Sequence, residues 1–184
     1  METTRNEMPE YAKYFFKKLT DYLEVKIYYF GSIQRFDYFP SSSDIDADIF
    51  TDNESSTITK MQNFLGIPRY DFRKFVYRLH KANKMVYGYK VKYEDLENNF
   101  CTEISIYNEK YKHDVLMEHN SKTTLPMHIT ILLVILKTFY YKIPILSEDT
   151  YGYLKKIVMN YMVEGSDAEF ISIEVPRPDK DKNK

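Results

Sequence analysis

Apolar residues recur along this chain with two different periods, and the switches between them mark the elements. From Pro9 to Leu23, Tyr11, Tyr14, Phe15, Leu19, Tyr22 and Leu23 fall three or four apart. Lys13, Lys17 and Lys18 lie off that stripe, which predicts an amphipathic helix. Val25 to Phe30 is a short apolar run and reads as a first strand. Residues 44–51 then alternate strictly, Asp-Ile-Asp-Ala-Asp-Ile-Phe-Thr, and a period of two predicts a second strand. A helix follows through Ile58, Met61, Phe64 and Leu65, with Ser55 or Ser56 as its cap and Gly66 at its end. Phe72, Phe75, Val76 and Leu79 keep helical spacing and predict another helical stretch after Pro68.

Met85 to Tyr93 and Phe100 to Tyr107 are rich in β-branched and aromatic residues around a polar turn, Glu94 to Asn99, and predict an antiparallel pair. A long helix is expected from Pro126 to about Lys142, capped by Thr123 or Thr124. Its broad apolar surface, Ile129 to Phe139, predicts burial against the sheet. A last helix is expected from Glu148 to Met162, stopped by Gly165, then a short strand over Phe170 to Val175. The charged, proline-marked end from Pro176 is expected to be disordered. The order predicts an α/β (α+β) fold with a mixed, largely antiparallel sheet flanked by helices. The expected division is a core over 1–120, a C-terminal helical part over 121–175 and a tail over 176–184.

Composition narrows the classes. At 184 residues with 43% hydrophobic content the chain can bury a sizeable core. The longest apolar run, Ile129 to Phe139, is too short to span a bilayer, and the first residues lack the apolar stretch of a signal peptide. A cytoplasmic protein without a membrane partner is the expectation. A single cysteine, Cys101, excludes an internal disulfide framework and a cysteine-rich metal site. The net charge of −1 offers no global basic field for a long duplex. Tyrosine is frequent, at 18, and reads chiefly as packing.

The second strand carries the chemistry. Residues two apart on a strand share a face, roughly 6.6 Å apart, so Asp44, Asp46 and Asp48 line one face and Ile45, Ala47 and Ile49 the other. Three carboxylates in a row repel one another, and a bound cation relieves the repulsion; carboxylate oxygens suit Mg²⁺. Just upstream, Gly31 permits close backbone approach to a ligand and Ser32 adds a hydroxyl, a pairing suited to phosphate. A solvated strand edge is the plainer alternative for the aspartates.

Gly31-Ser32, eleven residues, then Asp44-Ile45-Asp46 on the next strand resembles the signature of the polymerase β-like nucleotidyltransferase superfamily. The likeness runs from about residue 25 to 107. Many members carry a glycine in the loop after Gly-Ser, where this chain has Phe36-Asp37-Tyr38-Phe39. Members also place a third carboxylate on a later strand beside Asp-x-Asp. Glu103, in mid-strand with Cys101 and Ser105 on its face, takes that role here, with Asp114 as the alternative.

The resemblance implies a metal-dependent enzyme that uses Mg²⁺ or Mn²⁺. It would move a nucleoside monophosphate from a nucleoside triphosphate such as ATP to an acceptor hydroxyl and release pyrophosphate. Asp44, Asp46 and Glu103 would be the catalytic and metal-binding residues, and Gly31 and Ser32 the nucleotide-binding pair. Asp48 is then either a spare ligand or, as is expected here, a neighbour turned to solvent. Arg35 and Lys137 are further cations that could meet the triphosphate, though each is more often a surface charge, and His113 reads as a surface residue. The acceptor stays open among an RNA end, a protein, a small molecule and a second nucleotide. Tyr87-Gly88-Tyr89-Lys90 and Thr102 to Ile106 also faintly resemble RelA/SpoT-type pyrophosphokinases, which generally lack an Asp-x-Asp. A non-catalytic nucleotide-binding or interaction module is the remaining alternative.

Overall fold

The computed structural model of the chain describes residues 1–161. The expected helix end at Gly165, the strand over Phe170 to Val175 and the tail from Pro176 lie outside the described residues. Five strands form one mixed sheet: β1 (Ile27–Phe30), β2 (Ile45–Thr51), β3 (Arg73–Leu79), β4 (Lys84–Asp95) and β5 (Phe100–Asn108), in the order β1-β2-β5-β4-β3. Among the described residues only the β2–β5 pairing is parallel. The α+β class and the largely antiparallel sheet are therefore as anticipated. Among the described residues no helix is long and apolar enough to cross a membrane.

Each face of the sheet has its own core. Ile45, Ala47 and Ile49 from β2 and Ile104 and Ile106 from β5 meet Phe15, Phe16 and Leu19 of α1 (Glu10–Leu23) and Ile58 and Met61 of α2 (Glu54–Leu65). On the opposite face Phe50, Phe75, Val86 and Tyr107 pack with Val115 of α3 (Lys112–Ser121). Helix α2 begins at Asn53, whose side chain accepts a hydrogen bond from the Ser56 N–H at 3.0 Å, so the cap is Asn53 rather than Ser55 or Ser56. Gly66 ends α2 with φ 67°, the left-handed conformation a glycine favours.

Two further expectations are corrected. Residues 73–79 form a strand, not a helix. Phe72, Phe75, Val76 and Leu79 suit helical spacing, but Phe75, Tyr77 and Leu79 suit a strand equally, and seven register pairs with β4, from Arg73↔Lys90 to Leu79↔Lys84, decide it. Tertiary pairing overrides a local pattern readily in strands. The long helix is also not buried against the sheet. It runs as α4 (Met127–Lys137), widens into a π turn over Thr138–Lys142, and starts on Pro126 without a threonine cap. It buries Ile129, Leu133, Leu136 and Lys137 while Ile131, Leu132, Ile135 and Phe139 stay exposed. Its partner is α5 (Glu148–Tyr161), as the exposed stripe leaves the sheet cores to other residues. Helix α3, over residues without an assigned element, carries little apolar surface and buries only Val115 and Glu118.

Candidate functional site

The face that α3 covers is apolar at one end and charged at the other. Parallel register sets Asp46 beside Glu103 and Asp48 beside Ser105, while antiparallel register sets Glu103 beside Lys92. Neighbouring strands lie about 4.8 Å apart, so Asp46, Glu103 and Lys92 form a row across three strands. The alternation of β2 thus does place Asp46 and Asp48 on one face, and Asp44, just before the strand, lines the same cavity as Asp46. Asp114 is elsewhere, in the first turn of α3, where it accepts a hydrogen bond from the Lys84 ammonium at 2.8 Å. His113 is exposed beside it.

Gly31 opens a short 3₁₀ turn, Gly31–Gln34, as β1 ends. Its φ is +71°, and a Cβ there would stand 2.0 Å from Oδ2 of Asp46. Only glycine lets the backbone turn and lie directly on that carboxylate. Gly31, Ser32, Asp44 and Asp46 line a cavity of about 420 Å³ together with Lys92, Tyr141, Tyr151 and Lys155. Burial pushes the Asp46 carboxyl up to about 7; Lys155 opposes the shift, and Glu103 and Asp44 add to it. A carboxylate whose charge is this poorly compensated is a natural ligand for a cation.

The donor set fits a hard divalent ion by type, by face and by its access to an open cavity. The side chains do not yet converge: among the described residues no group of three His, Cys, Asp or Glu is close enough to hold a metal ion. Glu103 turns instead toward Lys90, whose Nζ lies 3.5 Å from Oε2. Asp44 adjoins Cys101, and burial followed by Asp44 raises the Cys101 thiol to about 12.

Asp48 is not turned to solvent, as expected, but fully buried. Oδ2 lies 2.9 Å from Nε2 of His119, whose ring stacks on Phe30 at 4.0 Å between centroids. Burial raises the Asp48 carboxyl, with His119 opposing. Arg35 and Lys137 are buried too, and both are engaged. Arg35 grips Asp37 through Nε at 2.7 Å and the terminal nitrogen at 3.1 Å. Lys137 donates to the Asp37 carbonyl at 2.7 Å and reaches its Oδ2 at 3.1 Å. Burial alone would raise the Asp37 carboxyl, but Arg35 and then Lys137 hold it below the usual range. These cations tie the loop after Ser32 to α4, although both also border the cavity.

Lys92, Lys155 and the tyrosines of the cavity were not singled out from the sequence. Lys90 and Lys92 had a detectable signal, since two lysines two apart on a strand share a face. Lys155 had none, because its approach to Asp46 depends on how α5 folds back.

No family model matches the chain, and no curated protein matches it. A solved structure of Cid1, described for its RNA terminal uridylyl transferase activity, is similar in part. The match is 18% identical with a TM-score of 0.36, and covers 72% of this chain and 42% of that chain. The chain thus spans about two fifths of that structure's length. A likeness of this size leaves function to be judged from the site itself.

Proposed function

We propose that the protein is a metal-dependent nucleotidyltransferase of the polymerase β-like kind, with residues 1–120 as its catalytic core. The observation that carries this reading is the placement of Asp46. Its carboxylate lies against the Gly31 backbone on one side and beside Glu103 on the other, at the wall of an open cavity.

Asp44 and Asp46, with Glu103, would hold divalent ions, Mg²⁺ or Mn²⁺, which supply charge neutralisation at the phosphates. Gly31 and Ser32 receive the β- and γ-phosphates of a nucleoside triphosphate, since both line the cavity beside Asp46. Lys155 and Lys92 face the same cavity and offset phosphate charge. The acceptor oxygen forms a bond to the α-phosphorus as the bond from that phosphorus to the bridging oxygen breaks. Pyrophosphate leaves with the bonding pair, and Glu103 accepts the acceptor's proton. Positioning and electrostatics supply most of the rate in such transfers.

Mn²⁺ binding followed by electron paramagnetic resonance, with a non-hydrolysable triphosphate present, tests the ligand set. Wild type should bind saturably and the Asp44→Asn, Asp46→Asn double variant about a hundredfold more weakly or worse. Equal affinity in the two proteins would remove the metal from this site.

A further inference from the structure

The net charge of −1 hides a region of opposite sign. Residues 69–92 hold eight lysines and arginines against one acid, Asp71, a net of +7, so the rest of the chain is acidic. A local concentration of one sign attracts a partner of the other. The region folds largely as β3 and β4, with β3 at the edge of the sheet.

One part of it carries aromatic surface as well. Tyr89 packs against the core beneath α1 and α2, and Tyr87 and Met85 share its face of β4, two and four residues away. Yet Tyr87 and Met85 are 43% and 47% exposed. Lys74 and Arg78 of β3 join that face, paired in register with Tyr89 and Met85. The Lys74 and Lys110 ammonium groups lie 5.5 Å and 5.6 Å from the centroid of the Tyr87 ring. Arg78 donates to the side-chain oxygen of Asn83, a neutral group, at 3.4 Å. Among the described residues none of Lys74, Arg78 and Lys110 is in an ion pair. Lys84 and Lys112 nearby are answered, by Asp114 at 2.8 Å and Glu109 at 2.6 Å. A hydrogen bond with Tyr111 and then the charge of Lys110 hold the Tyr87 hydroxyl below its usual range, with Glu54 a weaker opposing charge.

Lone surface cations are ordinarily solvated, but an exposed ring among them offers more. A nucleic-acid base stacks on an aromatic face while its phosphates meet the cations, and it can do so only when unpaired. An acidic peptide would use the cations and leave the ring of Tyr87 idle. We propose that Tyr87, with Lys74, Arg78 and Lys110, forms a docking surface for single-stranded nucleic acid. Lys92 shares a sheet face with Glu103, and Tyr87, five residues or about 17 Å along β4, lies on the other. The surface is therefore separate from the cavity beside Asp46 and does not depend on the transfer reading.

The test uses the full chain without added metal and a ten-nucleotide single-stranded RNA labelled at its 5′ end. Fluorescence anisotropy is read across a potassium chloride series for wild type and for Lys74→Ala with Lys110→Ala. The double variant should bind about tenfold more weakly, and its salt slope should fall by about 1.4, at roughly 0.7 per phosphate contact on a single strand. Tyr87→Leu should weaken binding about fivefold or more and leave the salt slope unchanged, since stacking releases no counterions. Lys74→Glu alone, at an exposed position, should weaken binding at least as much as the double variant and serves if that variant misfolds. Asp46→Asn should bind the RNA as wild type does. No binding to wild type, or unchanged affinity and slope in the surface variants, overturns the proposal. So does a loss in Asp46→Asn equal to theirs, which would put the RNA in the nucleotide cavity. Equal competition by a duplex of the same length, or by poly-glutamate of equal charge, also overturns it, in favour of a plain polyanion surface.

Discussion

The two faces of β2 show how one strand divides stability from chemistry. Ile45, Ala47 and Ile49 are sealed under α1 and α2, each 2% exposed or less. One residue out of step, Asp44 and Asp46 stand in an open cavity, and Asp48 is locked under α3 against His119. The apolar face needs its neighbours and no ligand. The acidic face holds charges that the protein leaves poorly compensated, and such charges cost stability unless a ligand answers them. The Arg35, Asp37 and Lys137 cluster is the contrasting case, a buried set in which one carboxylate is gripped by two cations.

That contrast can be broken at defined points. Lys137→Met removes two charge-assisted contacts to the buried Asp37, one to its carbonyl at 2.7 Å and one to its carboxylate at 3.1 Å. At about 1.5 to 3 kcal/mol for each hydrogen bond to a charged group, we expect a loss of about 3 to 5 kcal/mol in denaturant unfolding. Ile104→Ala opens a hole under the sealed face and should cost about 2 to 4 kcal/mol, with activity per folded molecule unchanged. Unchanged stability in either variant would contradict the division of roles.

Asp46→Asn should move stability the other way. Its carboxyl is raised from 3.8 to about 7 in the folded chain, so between those values the folded state binds more protons than the unfolded state. Its stabilising contribution is full below about pH 4 and is lost as the pH rises to 7. The variant should therefore gain about 2 kcal/mol at pH 7.5, allowing for partial solvent contact, and lose that pH dependence. Asp37, held low, acts oppositely: its contribution is present above about pH 4 and lost on further acidification. Urea unfolding at several pH values separates the two.

Gly31→Ala sharpens the comparison with the smallest change. The left-handed backbone costs roughly 1 to 2 kcal/mol with a Cβ present. The greater effect should be on transfer, since the new methyl must displace the Asp46 carboxylate. A loss of about a hundredfold in kcat is expected, as for a misplacement near 1 Å. A fully active alanine variant would show that Asp46 need not sit where Gly31 lets it.

What was legible in the sequence was local. Alternation over residues 44–51 and the Gly31-Ser32 turn are set by neighbours in the chain, and the residues that meet at the cavity wall could be read from them. What was not legible depended on distant partners. The strand at 73–79 shares its apolar spacing with a helix, and only the register with β4 decides between them. Asp48 looked surplus because His119 reaches it from α3, an element with little apolar pattern to announce it. Arg35 and Lys137 looked available because Asp37 joins them only once α4 has packed on the loop.

The most direct test of the central claim is transfer itself. The protein would be incubated with Mg²⁺, an acceptor mixture and each nucleoside triphosphate labelled in turn at the α- and γ-phosphate, with Asp46→Ala alongside. Movement of the α label alone, abolished in the variant, is the predicted result. Movement of the γ label together with the β-phosphate would mean pyrophosphate transfer, and no movement of either label despite metal-dependent nucleotide binding would mean a binding module; both results would contradict the account.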